Sequence, residues 1–163
     1  ASDYFISVAR IEPENNPQLI LDAFERSGRR LIFYGNWKIS DYSQRLYAKY
    51  AKLENIELWP ATYNSEELLQ IRSNAIAYVH GHSAGGTNPV LVEAIHLGRP
   101  IMAFDCAFNR ETLGNLGDYF SSSEELAALV STEVRSDYCE QLVKMAKERY
   151  SWKRIAEQYR NIW

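Results

Sequence analysis

Short apolar runs alternate with helix-patterned stretches through the first two thirds of this chain, and nothing else constrains its fold as strongly. Tyr4-Phe5-Ile6-Ser7-Val8-Ala9, Leu31-Ile32-Phe33-Tyr34, Ile56-Glu57-Leu58-Trp59, Ile76-Ala77-Tyr78-Val79 and Ile101-Met102-Ala103-Phe104 read as strands. The punctuation between them is helical. Asn16-Pro17 opens one helix and Gly28 closes it; a second spans 42–53. Ser65 caps a third, whose Glu66 and Glu67 suit its positive end, and a fourth runs over 90–97. Strands joined through helices at this spacing form βαβ crossovers. The expected fold class is therefore α/β, a doubly wound parallel sheet with helices on both faces. Past residue 120 the pattern is helical only. Ser122 and Glu125 form a capping box for 123–130, and another helix covers 137–149. A last one after Ser151 sets Trp152, Ile155, Ala156, Tyr159 and Ile162 on one side.

The length of 163 residues suits one domain, and no repeat, low-complexity segment or linker divides it. A chain of this size buries roughly 70% of its unfolded surface and needs no disulfide or metal to hold a core. Its net charge of −3 argues against a nonspecific nucleic-acid binder. No apolar run approaches the roughly 20 residues of a membrane-spanning helix. Cys106 and Cys139 lie far apart and lack metal-ligand spacing, so both are expected as reduced thiols and no metal site is expected.

In a doubly wound sheet, ligands bind outside the carboxyl ends of the strands, near the point where strand order reverses. Loops 10–16, 35–40, 60–64 and 80–88 leave such ends, and the polar residues of the chain collect there. The most informative is His80-Gly81-His82-Ser83-Ala84-Gly85-Gly86-Thr87-Asn88-Pro89. Asn88-Pro89 reads as an N-cap followed by proline at the first helical position. Free amides at that helix start, beside Gly85 and Gly86, suit an anion such as phosphate. Arg10 can contact two phosphate oxygens at once, or pair with Glu12 or Glu14. Glu93, one turn into an apolar helix, needs hydrogen-bond partners: the two hydroxyls of a ribose, or a structural cation. His80 and His82 flank Gly81, and alternation in an extended segment places them on opposite faces, which disfavours a shared metal. Either neutral imidazole could donate to a phosphate or a sugar hydroxyl. Asn109-Arg110-Glu111 lines the same cleft or caps the following helix.

Taken together, Ala9-Arg10-Ile11-Glu12-Pro13-Glu14-Asn15-Asn16, Gly35-Asn36, the 80–94 stretch and Phe108-Asn109-Arg110-Glu111 resemble one family in order and spacing. The chain resembles the C-terminal, donor-binding half of retaining GT-B glycosyltransferases of family 4, a Rossmann-like lobe with a helical C-terminal segment. Within that family it looks most like bacterial rhamnosyltransferases of capsule and O-antigen assembly, which share the Pro-Glu-Asn-Asn turn and the His-Ser-x-Gly-Gly-Thr-Asn-Pro loop. The resemblance implies that Arg10 contacts the donor diphosphate and that Glu93 binds the nucleotide ribose. It places Gly85, Gly86, Thr87 and Asn88 against the phosphates and sugar and Pro60, Ala61 and Thr62 near the base, with Gly35 a further donor-binding residue. His80, His82 and Arg110 join as further donor contacts, and the Trp152 helix crosses back to the other domain. Two departures stand out. The first of the family's paired glutamates falls at Gly85, and its phosphate-binding lysine falls at Asn15.

The resemblance further implies a nucleoside diphosphate sugar, such as dTDP-rhamnose, as donor substrate, with no cofactor. It implies a glycan or glycolipid acceptor and a cytoplasmic enzyme at the inner face of the membrane. The acceptor site would belong to an N-terminal domain that this chain lacks. The piece alone is then expected to bind nucleotide weakly, to transfer no sugar, and to expose an apolar patch where the other half docks. Two other classes fit parts of the pattern. A nucleotide-sugar epimerase lobe would need catalytic carboxylates not found here. A non-catalytic α/β nucleotide- or phosphate-binding module would need none.

Overall fold

A computed structural model describes residues 2–84 and 88–150. Its sheet is six-stranded and wholly parallel. In chain order the elements are β1 (Tyr4–Val8), α1 (Pro17–Ser27), β2 (Arg30–Gly35), α2 (Asp41–Tyr50), β3 (Ile56–Pro60), α3 (Ser65–Asn74) and β4 (Tyr78–His80). There follow α4 (Pro89–His96), β5 (Ile101–Phe104), α5 (Ala107–Thr112), β6 (Asp118–Phe120), α6 (Ser123–Ser131) and α7 (Cys139–Arg149). The strand order is β3-β2-β1-β4-β5-β6, so the direction of winding reverses between β1 and β4.

Alternation along the strands builds two cores. Phe5, Leu31 and Phe33 point to one face, where they meet Leu21, Phe24, Leu46 and Leu126. Ile6, Ile32 and Tyr34 point to the other, with Leu91, Ile95, Ile101 and Leu142. Because both faces are covered, the strands read as nearly unbroken apolar runs.

Several ends differ from the sequence expectation. Asn64, not Ser65, caps α3 by accepting a hydrogen bond from the Glu67 amide. Asn16 stands at the N-cap of α1 but is left-handed, with φ 49°, and its side chain makes no cap bond. The Asn16 amide instead donates to the Gly81 carbonyl at 2.8 Å, which binds the start of α1 to the loop after β4. Gly28 closes α1 as expected, at φ 68°. Ser122 accepts from the Glu125 amide, while the Glu125 carboxylate accepts from Ser121 rather than from the cap residue itself. β6 had no signal in the sequence: it is three residues long and only Phe120 is fully buried. The helix expected after Ser151 lies outside the described residues.

Candidate functional site at the strand crossover

The reversal between β1 and β4 leaves a cavity of about 450 Å³ at the carboxyl ends of these strands. That is within the usual range for small-molecule sites. Val8, Arg10, Glu14 and Asn15 line it from the β1 side, His80 and His82 from the β4 side, and Asn88, Pro89 and Val90 from the start of α4.

Each wall has an identifiable support. The Ile11 amide donates to Asn36 Oδ1 at 2.8 Å, which ties the loop after β1 to the one after β2. Asn15 donates through Nδ2 to the Arg10 carbonyl at 2.8 Å, so its Oδ1 faces His82 Nδ1 at 2.6 Å. That oxygen can only accept, so His82 Nδ1 carries the hydrogen. Ser83 donates both its amide and its hydroxyl to the Glu14 carbonyl, at 2.9 and 2.8 Å. From the far side, Asn109 donates to the carbonyls of His82 and Phe104, both at 2.9 Å. Gly81 allows the close approach of the two loops, since a Cβ there would collide with the Asn15 carbonyl oxygen. The Pro-Glu-Asn-Asn turn thus acts as a brace for the segment that leads into α4.

Arg10 is exposed and faces this cavity. It pairs with neither Glu12 nor Glu14, and no carboxylate partner occurs among the described residues. It also lines an adjoining cleft with Tyr34, Gly35, Ala61, Thr62 and Tyr63. Pro60 borders the next depression along, beside Gly35 and Ala61. Asn88 caps α4, accepting from the Val90 amide at 2.9 Å through Oδ1. Gly85, Gly86 and Thr87 lie outside the described residues.

Glu93 occupies a different position from the one the sequence suggested. It is not enclosed: its side chain is 44% exposed, in a shallow cleft with Thr62, Tyr63, Leu68 and His96. That cleft shares Thr62, Tyr63 and Leu68 with the one that Arg10 lines, so the two residues border adjoining depressions. One carboxylate oxygen of Glu93 accepts from Arg72 Nη1 at 3.0 Å. Arg72 is the cation the sequence reading missed. Its side chain is buried, donates to the Val90 carbonyl at 3.0 Å, and lies 5.6 Å from the centre of the Tyr78 ring. An arginine in the last turn of a polar helix looks like an ordinary surface cation, and what buries it, contact with Val90, Glu93 and the Tyr78 ring, is distant in sequence.

The histidines also depart from expectation. Extended structure ends at His80, so strict alternation fails across Gly81, and the two imidazoles stand 6.1 Å apart rather than on opposite faces. His80 is buried, and burial, with His82 and Arg72 nearby, pushes its pKa down to about 3. The ring is therefore neutral over the physiological range. Among the described residues its Nε2 has no hydrogen-bond partner. Leaving such a buried group unpaired costs about 1–3 kcal/mol.

Arg110 is committed elsewhere. It forks onto Asp105 at 2.6 and 2.8 Å, which holds that carboxyl below its ordinary range, and its guanidinium lies 4.1 Å from the centre of the Tyr119 ring. It borders none of the depressions above. No group of three or more His, Cys, Asp or Glu among the described residues could hold a metal ion. No helix among them is long and apolar enough to cross a membrane.

The structure is thus an α/β lobe whose crossover cavity carries, among the described residues, an arginine without a carboxylate partner on one wall and a helix start on another. Residues 2–158 match the family of glycosyl transferases group 1, and the chain belongs to that family. A search of the curated proteins found no match. Among solved structures, the chain is similar to Anabaena Alr3699/HepE in complex with UDP-glucose, with 18% identity and a TM-score of 0.81, over 98% of this chain and 48% of that one. It is similar to the pneumococcal O-GlcNAc transferase GtfA in complex with UDP and GlcNAc, with 19% identity and a TM-score of 0.70, over 98% and 35%. It is also similar to TarM, with 17% identity and a TM-score of 0.70, over 98% and 34%. These likenesses concern the fold, that of a GT-B glycosyltransferase domain. The chain spans about half the length of HepE and a third of the other two.

Proposed function

We propose that this chain is the donor-binding half of a glycosyltransferase that moves a sugar, with rhamnose the first choice, from a nucleoside diphosphate to a glycan or glycolipid acceptor. The observation that carries the reading is Arg10, a guanidinium with no carboxylate partner among the described residues that lines the crossover cavity together with the start of α4. Breaking the anomeric C–O bond places negative charge on the departing diphosphate while the sugar becomes oxocarbenium-like. Groups fixed in advance on that developing charge lower the barrier most. Arg10 is so placed, and the positive end of the α4 dipole lies on the same cavity. The amides of Val90, Leu91 and Val92 are themselves taken by Asn88, so α4 acts through its dipole and not through free N–H groups. The nucleoside extends from there along the cleft of Gly35, Ala61 and Thr62, with Glu93 near the ribose. Arg72 holds one Glu93 oxygen, which orients the carboxylate and leaves the other for a sugar hydroxyl. HepE and GtfA were captured with UDP or UDP-glucose, which supports a nucleotide-sugar donor here.

The acceptor site and any group that deprotonates the acceptor belong, in this reading, to a second lobe. Support comes from the share of the solved relatives that the chain spans. The exposed Ile39, Tyr63 and Leu69 are apolar side chains suited to such a neighbour. Isolated, the chain binds donor and transfers nothing. Retention of anomeric configuration, the dTDP nucleotide and work at the inner membrane face rest on the motif resemblance. Titration of the chain with UDP, GDP, dTDP and inorganic pyrophosphate tests the reading. A nucleoside diphosphate should bind better than pyrophosphate, and Glu93→Ala should abolish that preference. Equal binding of pyrophosphate and nucleotides would favour a phosphate-binding module instead.

A further inference from the structure

His80 is nine-tenths buried or more, lines the cavity and, among the described residues, leaves one ring nitrogen unpartnered. Its proton can be located from the neighbouring groups. The Val8 carbonyl only accepts hydrogen bonds, and the Tyr78 hydroxyl donates to it at 3.3 Å. Burial pushes the Tyr78 phenol up to about 12, so it keeps the single proton that this bond uses. His80 Nδ1 lies 3.3 Å from the same Tyr78 oxygen. With the phenol proton committed to Val8, that contact requires His80 Nδ1 to donate. The neutral imidazole then presents a bare lone pair at Nε2.

A lone pair selects its ligand by sign. Phosphate oxygens are acceptors and would be repelled, whereas the Arg10 guanidinium on the same cavity is a donor and attracts them. What Nε2 can take is an O–H. We propose that His80 recognises the transferred sugar itself, its Nε2 accepting a hydrogen bond from a hydroxyl of the donor sugar while Arg10 and the start of α4 hold the diphosphate. This rests on the nucleotide-sugar reading and adds to it a residue that distinguishes a sugar nucleotide from the bare nucleotide. A neutral acceptor at that point reads a hydroxyl without adding a negative charge beside the diphosphate.

Calorimetric titration of the chain with UDP against UDP-glucose, and with dTDP against dTDP-rhamnose, tests it. His80→Leu should weaken binding of a sugar nucleotide about tenfold and leave the matching diphosphate unchanged. His80→Gln, which restores an acceptor close to the place of Nε2, should recover most of the loss. Equal loss for nucleotide and sugar nucleotide, or no loss for either pair, would overturn the proposal while leaving nucleotide binding intact. Failure of the wild-type chain to bind any of the four would overturn the nucleotide reading and the proposal with it. Should His80→Leu not fold, nitrogen-15 NMR of the wild-type imidazole decides: hydrogen on Nδ1 and a bare Nε2 are expected, and the opposite tautomer would overturn the assignment.

Discussion

Asn15 Oδ1 accepts a 2.6 Å hydrogen bond from His82 Nδ1, joining the turn after β1 to the loop after β4. Neither residue is fixed by its own strand. Asn15 is oriented by the Arg10 carbonyl and the His82 backbone by Asn109, so the pair closes a network around the mouth of the crossover cavity. Asn15→Ala removes the contact to His82 and the one to Arg10. It should lower unfolding free energy by about 1–3 kcal/mol in urea titration and weaken UDP binding, because Arg10 loses its brace.

Gly81 should tolerate no side chain. The Cβ of Gly81→Ala meets the Asn15 carbonyl, which is backbone and cannot swing aside. Overpacking of this kind costs about 1–3 kcal/mol. A thermal melt indistinguishable from wild type would show that the two loops are farther apart than described.

Arg72 and Glu93 should uncouple stability from binding. Arg72→Met leaves the Val90 carbonyl and one Glu93 oxygen without their donor. A loss of about 1–3 kcal/mol is expected by denaturant titration. Glu93 is half exposed, so Glu93→Gln should cost well under that, and its effect should appear in nucleoside affinity. The reverse ranking would make Glu93 a purely structural partner.

The burial of His80 predicts a pH dependence of stability. Its folded pKa, about 3, lies below the ordinary histidine value of 6.5. Between these values the unfolded chain binds the extra proton and the folded chain does not. Stability from this group is therefore complete above about pH 6.5 and falls as pH drops toward 3, with a slope of up to about 1.4 kcal/mol per pH unit. His80→Gln should flatten the difference in unfolding free energy between pH 7 and pH 5. An unchanged slope would place the imidazole in contact with water.

Much of this fold was legible because local and long-range signals agree. The runs around Phe5, Ile32 and Met102 are too short and too apolar for anything but buried parallel strands, and Gly28 and Asn88-Pro89 mark helix ends by backbone geometry alone. β6 escaped because an edge strand of three residues buries little. Arg10 was readable as a cation at a strand end, but not whether it paired with Glu12 or Glu14, and the burial of Arg72 depends on contacts with Val90, Glu93 and Tyr78 that lie far from it in sequence. The role of Asn15 and Asn16 was hidden for a related reason. Both amides act on a loop more than sixty residues away, and Asn16 forgoes its own helix cap to do so.

The most direct test of the account is calorimetric titration of UDP into the wild-type chain and into Arg10→Met. Arg10 is exposed and makes no ion pair among the described residues, so the fold should survive, with unfolding free energy within about 0.5 kcal/mol of wild type. Loss of a charge-assisted contact to the diphosphate should weaken UDP binding about 10- to 100-fold. Equal affinity in the two proteins, with both folded, would contradict the claim that this guanidinium holds the leaving group.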